Sequence, residues 1–237
     1  MISTKPLHIA VILDGNRRFA KRLMKQPWHG HKWGAEKVRE FLNWLREYGI
    51  KYATLYSLSL ENLNKRPKKE LEEILKIFEK EFSKILKPNH EVHKYGVRIK
   101  IIGRIKVLPK NLQKLFKEVE RVTKNYKNYF LNFAIAYGGK QEIIDAVKKL
   151  VKKIKAGKIK ACEINEGIFE NFLYTNGFPP VDILIRTGGE KRISNFLLWQ
   201  CAYAELFFVD KMWPEFEKED FVKILEEYAK RERRFGR

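Results

Sequence analysis

The stretch "HIAVILDGNRRFAKR", residues 8–22, runs the apolar series Ile9 to Leu13 into Asp14-Gly15-Asn16 and then into two arginines. A short apolar run bounded by turn residues reads as a buried strand, and the residues after it read as a helix begun near Arg17. Strand, glycine turn and helix together make the first half of a parallel βα unit. Glycine at position 15 permits a tight turn with backbone N–H groups facing outward, and the helix start aims its positive end at an anion. Arg17 and Arg18 can add charge-assisted hydrogen bonds, each contributing about 1.5–3 kcal/mol toward a charged partner. The stretch therefore reads as a phosphate pocket. It carries neither GxxxxGK[ST] nor GxGxxG, so it is neither a P-loop nor a dinucleotide fingerprint.

Asp14 is the odd member of that pocket, because a carboxylate repels a phosphate unless opposite charge lies between them. Two readings stand side by side. Mg²⁺ is commonly held by one or two carboxylates together with substrate phosphate oxygens, or Asp14 forms a salt bridge to Arg17 or Arg18.

Further along the chain the same alternation recurs. Candidate strands are Ile9–Leu13, Ala53–Leu58, Arg98–Ile102, Phe130–Ala136, Ile183–Arg186 and Leu206–Val209. Helical patterns lie near 34–48, 68–87, 110–125, 140–155 and 165–174, with a shorter one at 194–203 and a last one at 218–231. This predicts an α/β fold, a mostly parallel six-stranded central sheet flanked by helices. No Ser/Gly-rich linker or internal repeat divides residues 1–237, so a single domain is expected.

The carboxyl ends of parallel strands share one edge, where ligands bind. Polar clusters follow four of the strands: Asp14-Gly15-Asn16, then Ser59 with Glu61-Asn62, then Tyr137-Gly138-Gly139, then Arg186-Thr187-Gly188-Gly189. The last of these opens "RTGGEKRISNF", residues 186–196, in which Arg186, Lys191 and Arg192 bring three cations to a helix start that Ser194 would cap. A second anion site or a capped loop with surface charge both fit. Between the two clusters, "LEEILKIFEKEFSKIL" (71–86) offers Leu71, Ile74, Leu75, Phe78, Phe82 and Ile85 as a wide apolar stripe, either ordinary core or the wall of a hydrophobic substrate.

The 237-residue composition, 44% hydrophobic and 33% charged, suits a globular chain rather than a disordered one. A formal charge of +20 attracts anions of every kind, although lysine runs such as "KKLVKKIKAGKIK" (148–160) read most simply as a solvated face. No run approaches the roughly 20 apolar residues of a membrane span, and the first apolar run is too short for a signal peptide, so a cytoplasmic protein is expected. Cys162 and Cys201 lack CxxC or zinc spacing and are expected to be buried thiols.

Taken together, "HIAVILDGNRRFA", "GHKWGAEKV", "LYSLSLENLNKRP", "LNFAIAYGGKQEI", "DILIRTGGEKRISNFLLWQCAYAELFF", "WPEF" and "RERRFG" resemble, in order and over nearly the whole chain, the cis-prenyltransferases of undecaprenyl diphosphate synthase type. The resemblance implies elongation of an allylic prenyl diphosphate by isopentenyl diphosphate to a long-chain polyprenyl diphosphate, with Mg²⁺ as cofactor. It also implies a homodimer and a hydrophobic product tunnel, and for so basic a chain with a nearly insoluble product, peripheral contact with the inner face of the membrane is expected. Carried over by position, Asp14 and Asn62 are the catalytic residues. Gly15, Asn16, Arg18, Phe19 and His31 surround the allylic diphosphate, joined by Arg17, which stands where many bacterial members have glycine and would partly replace the arginine missing at Pro27, and Ser59, Glu61 and Arg66 belong with Asn62 to a mobile segment that closes the site. Arg186, Arg192 and Ser194 clamp isopentenyl diphosphate. Glu205 joins Asp14 as a metal carboxylate, although it precedes its strand. Tyr137 shapes the cleft wall, and the product is expected beneath the 71–86 helix, with Ser57 and the Phe78/Phe82 turn setting its length.

Some positions depart from the bacterial pattern: Pro27 replaces a phosphate-binding arginine, Lys191 a histidine and Leu63 a tryptophan, and one extra residue separates Asn62 from Arg66. Three rivals are weaker. A non-catalytic partner subunit of the same fold would not need both polar clusters, a nucleic-acid binder would interleave its bases with stacking aromatics, and a Mg²⁺ phosphohydrolase would act without isopentenyl diphosphate. The chain contains no adjacent aspartates, which sets it apart from the DDxxD trans-prenyl synthases.

Overall fold

Every residue of His8–Ile12 is buried, and its side chains alternate between two cores. Ile9 and Val11 pack with Phe41, Trp44 and Phe221, while Ala10 and Ile12 pack with Tyr137, Phe196 and Leu197. A strand buried on both faces has to be central, and this one is. In the computed structural model, which describes residues 5–231, β1 (His8–Ile12) lies inside a six-stranded sheet of order β3-β4-β2-β1-β5-β6. All of its pairings are parallel. The other strands are β2 (Tyr52–Ser59), β3 (Val97–Ile102), β4 (Tyr129–Tyr137), β5 (Ile183–Arg186) and β6 (Glu205–Phe208). All six expected strands are present, with bounds within one or two residues of the sequence reading.

The helices of the amino-terminal half are α1 (Asn16–Arg22), α2 (Pro27–Glu47), α3 (Leu60–Lys65), α4 (Lys68–Ile85) and α5 (Glu91–Lys94). They are followed by α6 (Lys110–Thr123), α7 (Gly139–Lys155), α8 (Glu166–Glu170) and α9 (Lys218–Lys230). The aromatic core of α2 and α9 (Phe41, Trp44, Phe221) and the Phe82/Phe116 contact of α4 and α6 cover one face of the sheet. The chain passes from β1 leftward to β2 and later returns to the right of β1 as β5, so the strand order reverses between β1 and β5. Ligand sites of open α/β sheets form at that reversal.

Three expectations need correction. No helix forms at 194–203: Ser194, Asn195 and Leu197 all have positive φ (48°, 62° and 45°), so the segment is a chain of turns. The cause is Asn195, whose carbonyl and side-chain oxygen accept from the backbone N–H groups of Gly139 and Lys140 at 2.7 and 2.8 Å, capping α7 instead of starting a new helix. Tyr137 is fully buried and hydrogen-bonds Glu142, making it core rather than cleft wall. Cys162 is exposed; Cys201 is half-buried, and burial pushes its thiol up to about 12. Among the described residues no helix is long and apolar enough to cross a membrane. The motif at 231–236 lies outside the described residues except for Arg231.

Candidate active site

The left-handed backbone of Gly15 (φ 102°) turns the chain from β1 into α1, and a Cβ there would lie 2.6 Å from that of Met212. The turn leaves Asp14 over the β1–β5 junction. Its Oδ2 accepts from Arg186 Nη2 at 2.8 Å, its Oδ1 accepts from the Gly15 N–H at 2.6 Å, and Arg18 Nη2 stands 3.5 Å from the same oxygen. The Gly188-Gly189 turn, with φ of 87° and 76°, closes against this group. A Cβ on Gly188 would come within 2.5 Å of Arg18 Nη2. The two polar clusters, far apart in sequence, thus share one rim.

Arg186 is 4% exposed, and its partners offset the cost of burying its charge. Nη1 donates to Ser194 Oγ at 2.7 Å and to the Arg192 carbonyl, Nη2 donates to Asp14, and Nε has no partner. Ser194 owes its place to its left-handed backbone, not to a helix cap. Arg192 is exposed and paired with Glu190, and Lys191 is exposed as well.

A second ionic group stands on the α1, α2 and α4 side. Glu70, 2% exposed on α4, receives Arg66, His31 Nε2 at 3.1 Å and Arg17 Nε at 3.3 Å on its Oε1. Burial alone would raise this carboxyl, but His31, Arg66 and Arg17 outweigh it and hold it below the usual range. Burial pushes the His31 imidazole down, and Arg66 and Arg17 add to the effect against Glu70. Arg17 therefore pairs with Glu70 and not with Asp14, while Arg18 does stand beside Asp14 as one sequence reading had it.

The two groups open into one cavity of about 730 Å³. Its polar end is lined by Asp14, Asn16, Arg17, His31, Arg66 and Arg186, with Ser59, Glu61, Asn62, Arg192 and Ser194 also on the wall. Its apolar end runs between α2, α4 and the sheet, past Val38, Ser57, Ile74, Phe78, Phe82 and Phe133. The register of β2 shifts around Ser57, a bulge of the kind that re-aims a side chain. Ser59 caps α3 by accepting the Asn62 N–H at 3.0 Å, and Asn195 Nδ2 donates to Glu61 Oε1 at 2.8 Å. These bonds tie the 59–62 segment to the turn after Arg186. Three cavity-lining residues carry a buried polar atom without a partner, Asn16 Oδ1, Arg66 Nε and Arg186 Nε, and Glu70 Oε2 behind the wall is another.

Four named residues do not line the cavity: Gly15 and Arg18 stand beside Asp14 at its rim, and Phe19 and Glu205 lie away from it. Phe19 packs edge-on against Trp33, with ring centroids 5.4 Å apart. Glu205 pairs in register with Ile183 at the start of β5, three residues before Arg186 and so about 10 Å up the strand from it. Its carboxylate holds Arg231. The parallel sheet thus puts the amino end of β6 and the carboxyl end of β1 on opposite edges, and within this chain Glu205 is not a partner of Asp14.

Sequence reasoning missed Glu70 and Asn195. Glu70 follows Arg66 by four residues, a helical pairing distance that could have flagged it; Asn195 gave no local sign of its role. For Mg²⁺ the donor set is suitable. No group of three or more His, Cys, Asp or Glu is poised for a metal among the described residues, so the protein offers no closed cage. It offers the Asp14 carboxylate and the unpartnered Asn16 oxygen on a cationic rim, which suits a hard ion held largely by substrate oxygens.

Comparison with known proteins agrees with this geometry. A family model described as "Putative undecaprenyl diphosphate synthase" matches residues 12–236. The chain is 50% identical to the tritrans,polycis-undecaprenyl-diphosphate synthase (geranylgeranyl-diphosphate specific) of Pyrococcus furiosus, over 98% of this chain and 87% of that protein. It is also 50% identical to the enzyme of the same name from Methanocaldococcus jannaschii, over 98% and 83%. Among solved structures it resembles lavandulyl diphosphate synthase of Lavandula x intermedia in complex with dimethylallyl diphosphate, with a TM-score of 0.91, 32% identity, and 98% and 99% of the two chains covered. A probable undecaprenyl diphosphate synthase from Campylobacter jejuni gives a TM-score of 0.80 at 32% identity, covering 99% and 100%.

Proposed function

The chain belongs to the undecaprenyl diphosphate synthase family of cis-prenyltransferases, and we propose that it is a Mg²⁺-dependent member that extends geranylgeranyl diphosphate with isopentenyl diphosphate. The activity, elongation of an allylic diphosphate to a polyprenyl diphosphate, is that of the family. The starter is carried over from the names of its relatives. The observation that carries the reading is the single cavity joining a cationic rim around Asp14 to an apolar wall built by α4. Charged heads and a hydrocarbon tail need both ends of such a space.

In this reading Arg17, Arg18, Arg66 and His31 hold the allylic diphosphate, while Arg186, Arg192 and Ser194 orient isopentenyl diphosphate beside it. Asp14 and substrate oxygens would hold the Mg²⁺, which when bound neutralises charge on the departing diphosphate. The allylic C–O bond breaks with its electron pair leaving on the diphosphate, and negative charge grows where Arg18 stands. The alkene of the second substrate supplies the electrons of the new C–C bond, and loss of a proton restores a double bond. Asn62, on the segment tied through Glu61 to Asn195, is positioned to close over the reacting ends. The residues of the apolar wall receive the lengthening chain and exclude water from the cation.

The chain acts as a single domain. The edge strand β6, with Leu206 39% exposed, supports a homodimer, and the +20 charge supports peripheral contact to an anionic bilayer. The deciding test supplies labelled isopentenyl diphosphate, geranylgeranyl diphosphate and Mg²⁺ to the purified chain. Labelled long-chain lipid that disappears on chelation is expected. Phosphate release without isopentenyl diphosphate, and no lipid product, would reject the reading.

A further inference from the structure

Glu70 presents an unusual arrangement: a buried carboxylate behind the cavity wall with three basic side chains on one oxygen and none on the other. The three come from separate elements, Arg17 from α1, His31 from α2 and Arg66 from the end of α3, and all three line the cavity. Two bases and an imidazole crowded this closely repel one another. Arg66 Nη1 lies 3.1 Å from His31 Nε2, a distance tolerable only with an anion between or a neutral ring. Burial favours the neutral ring, and Glu70 supplies the anion.

The contacts are also unequal. Arg66 and His31 are largely shielded, whereas Arg17 is half exposed and reaches Glu70 through Nε alone. The Arg17 terminal nitrogens make no hydrogen bond to Glu70, and Arg17 lines the cavity. Arg66 Nε is buried without a partner. The carboxylate thus fixes the three groups while leaving donors for a second anion.

We infer that Glu70 is a positioning residue for the allylic diphosphate: it holds Arg17, His31 and Arg66 in a preformed cradle and sets affinity at that subsite, leaving the isopentenyl diphosphate clamp around Arg186 unaffected. This rests on the reading of the cavity as a prenyltransferase site. Preorganisation by a fixed charge avoids an ordering cost at the moment of binding. Its loss therefore raises KM for one substrate rather than lowering turnover generally.

The test compares wild type, Glu70→Gln and Glu70→Asp with Mg²⁺ and both substrates, alongside thermal melts and calorimetric binding of inorganic diphosphate. For Glu70→Gln, which keeps the side-chain shape, KM for the allylic substrate should rise by about tenfold or more, with KM for isopentenyl diphosphate changed less than about twofold. Inorganic diphosphate should bind correspondingly more weakly. Glu70→Asp, which keeps the charge, should recover part of the loss. An unchanged or lower allylic KM overturns the inference, the latter by making Glu70 a competitor for the cations. An equal rise in both KM values, or a loss of melting temperature with no KM difference, overturns it as a purely structural effect. If wild type incorporates no isopentenyl diphosphate, the functional reading fails, and the diphosphate titration alone still decides whether Glu70 organises an anion cradle.

Discussion

Asp14 Oδ2 and Arg186 Nη2 meet at 2.8 Å across the reversal in strand order, joining residues 172 positions apart. The carboxylate answers a buried guanidinium, and the guanidinium holds Ser194 and the Arg192 carbonyl in turn. One ion pair therefore links the two polar clusters.

Replacing Asp14 by Ala should leave the sheet intact and cut isopentenyl diphosphate incorporation by about 10²–10³-fold, the usual loss when one preorganised electrostatic group is removed. Circular dichroism checks the fold and a radiolabel assay checks the rate. Near-normal turnover would exclude the role assigned to Asp14.

Arg186→Lys keeps the charge but cannot serve Asp14, Ser194 and the Arg192 carbonyl together, because an ammonium lacks the planar fork. KM for isopentenyl diphosphate should rise by about tenfold or more, with a smaller change for the allylic substrate. The reverse pattern would reassign the two subsites.

Ser57 and Phe78 line the apolar end of the cavity from opposite walls. Ser57→Phe should shorten the lipid products and Phe78→Ala should lengthen them, as read by reversed-phase chromatography of the dephosphorylated chains. An unaltered distribution in both variants would mean that the product runs elsewhere.

Asn195→Gly preserves a left-handed backbone while removing the bonds to Glu61 Oε1 and the Lys140 N–H. Hydrogen exchange of the 60–65 helix should quicken in this variant, and kcat should fall. Unchanged exchange there would show that the tie to Glu61 does not hold the segment.

His8, wholly buried, bonds Thr54 Oγ1 at 2.9 Å and the Pro179 carbonyl at 2.8 Å, and burial lowers its pKa to about 4. The ring is neutral when folded, whereas an unfolded histidine binds a proton below about 6.5. The stability from this group is therefore complete above about pH 6.5 and is lost as pH falls toward 4, in total on the order of 3 kcal/mol. Urea midpoints measured across that window should drop, and His8→Gln should flatten the dependence; an equally steep slope in the variant would assign it to other groups.

The amino-acid sequence by itself determined the strands and the shared edge. Runs such as Ile9–Leu13 and Ile183–Arg186 carry their burial in their own composition, and a glycine turn after an apolar run is a local event. The Asp14 and Arg186 clusters could be placed together because parallel strands end on one edge. The same rule gave the warning about Glu205, whose place at the start of β6 sends it to the opposite edge.

What only the tertiary structure decided depends on partners distant in sequence. The 194–203 segment looks helical by pattern, yet Asn195 finds the open N–H groups of α7 and the backbone turns left-handed to reach them. Glu70 looks like one surface acid among several on an amphipathic helix. It becomes the anchor of a cradle only when α1 and α2 bring Arg17 and His31 to it. Local periodicity fixes which residues form each element, but a buried carboxylate ringed by two arginines and an imidazole exists only after packing, because its stability comes from neighbours the chain supplies from elsewhere.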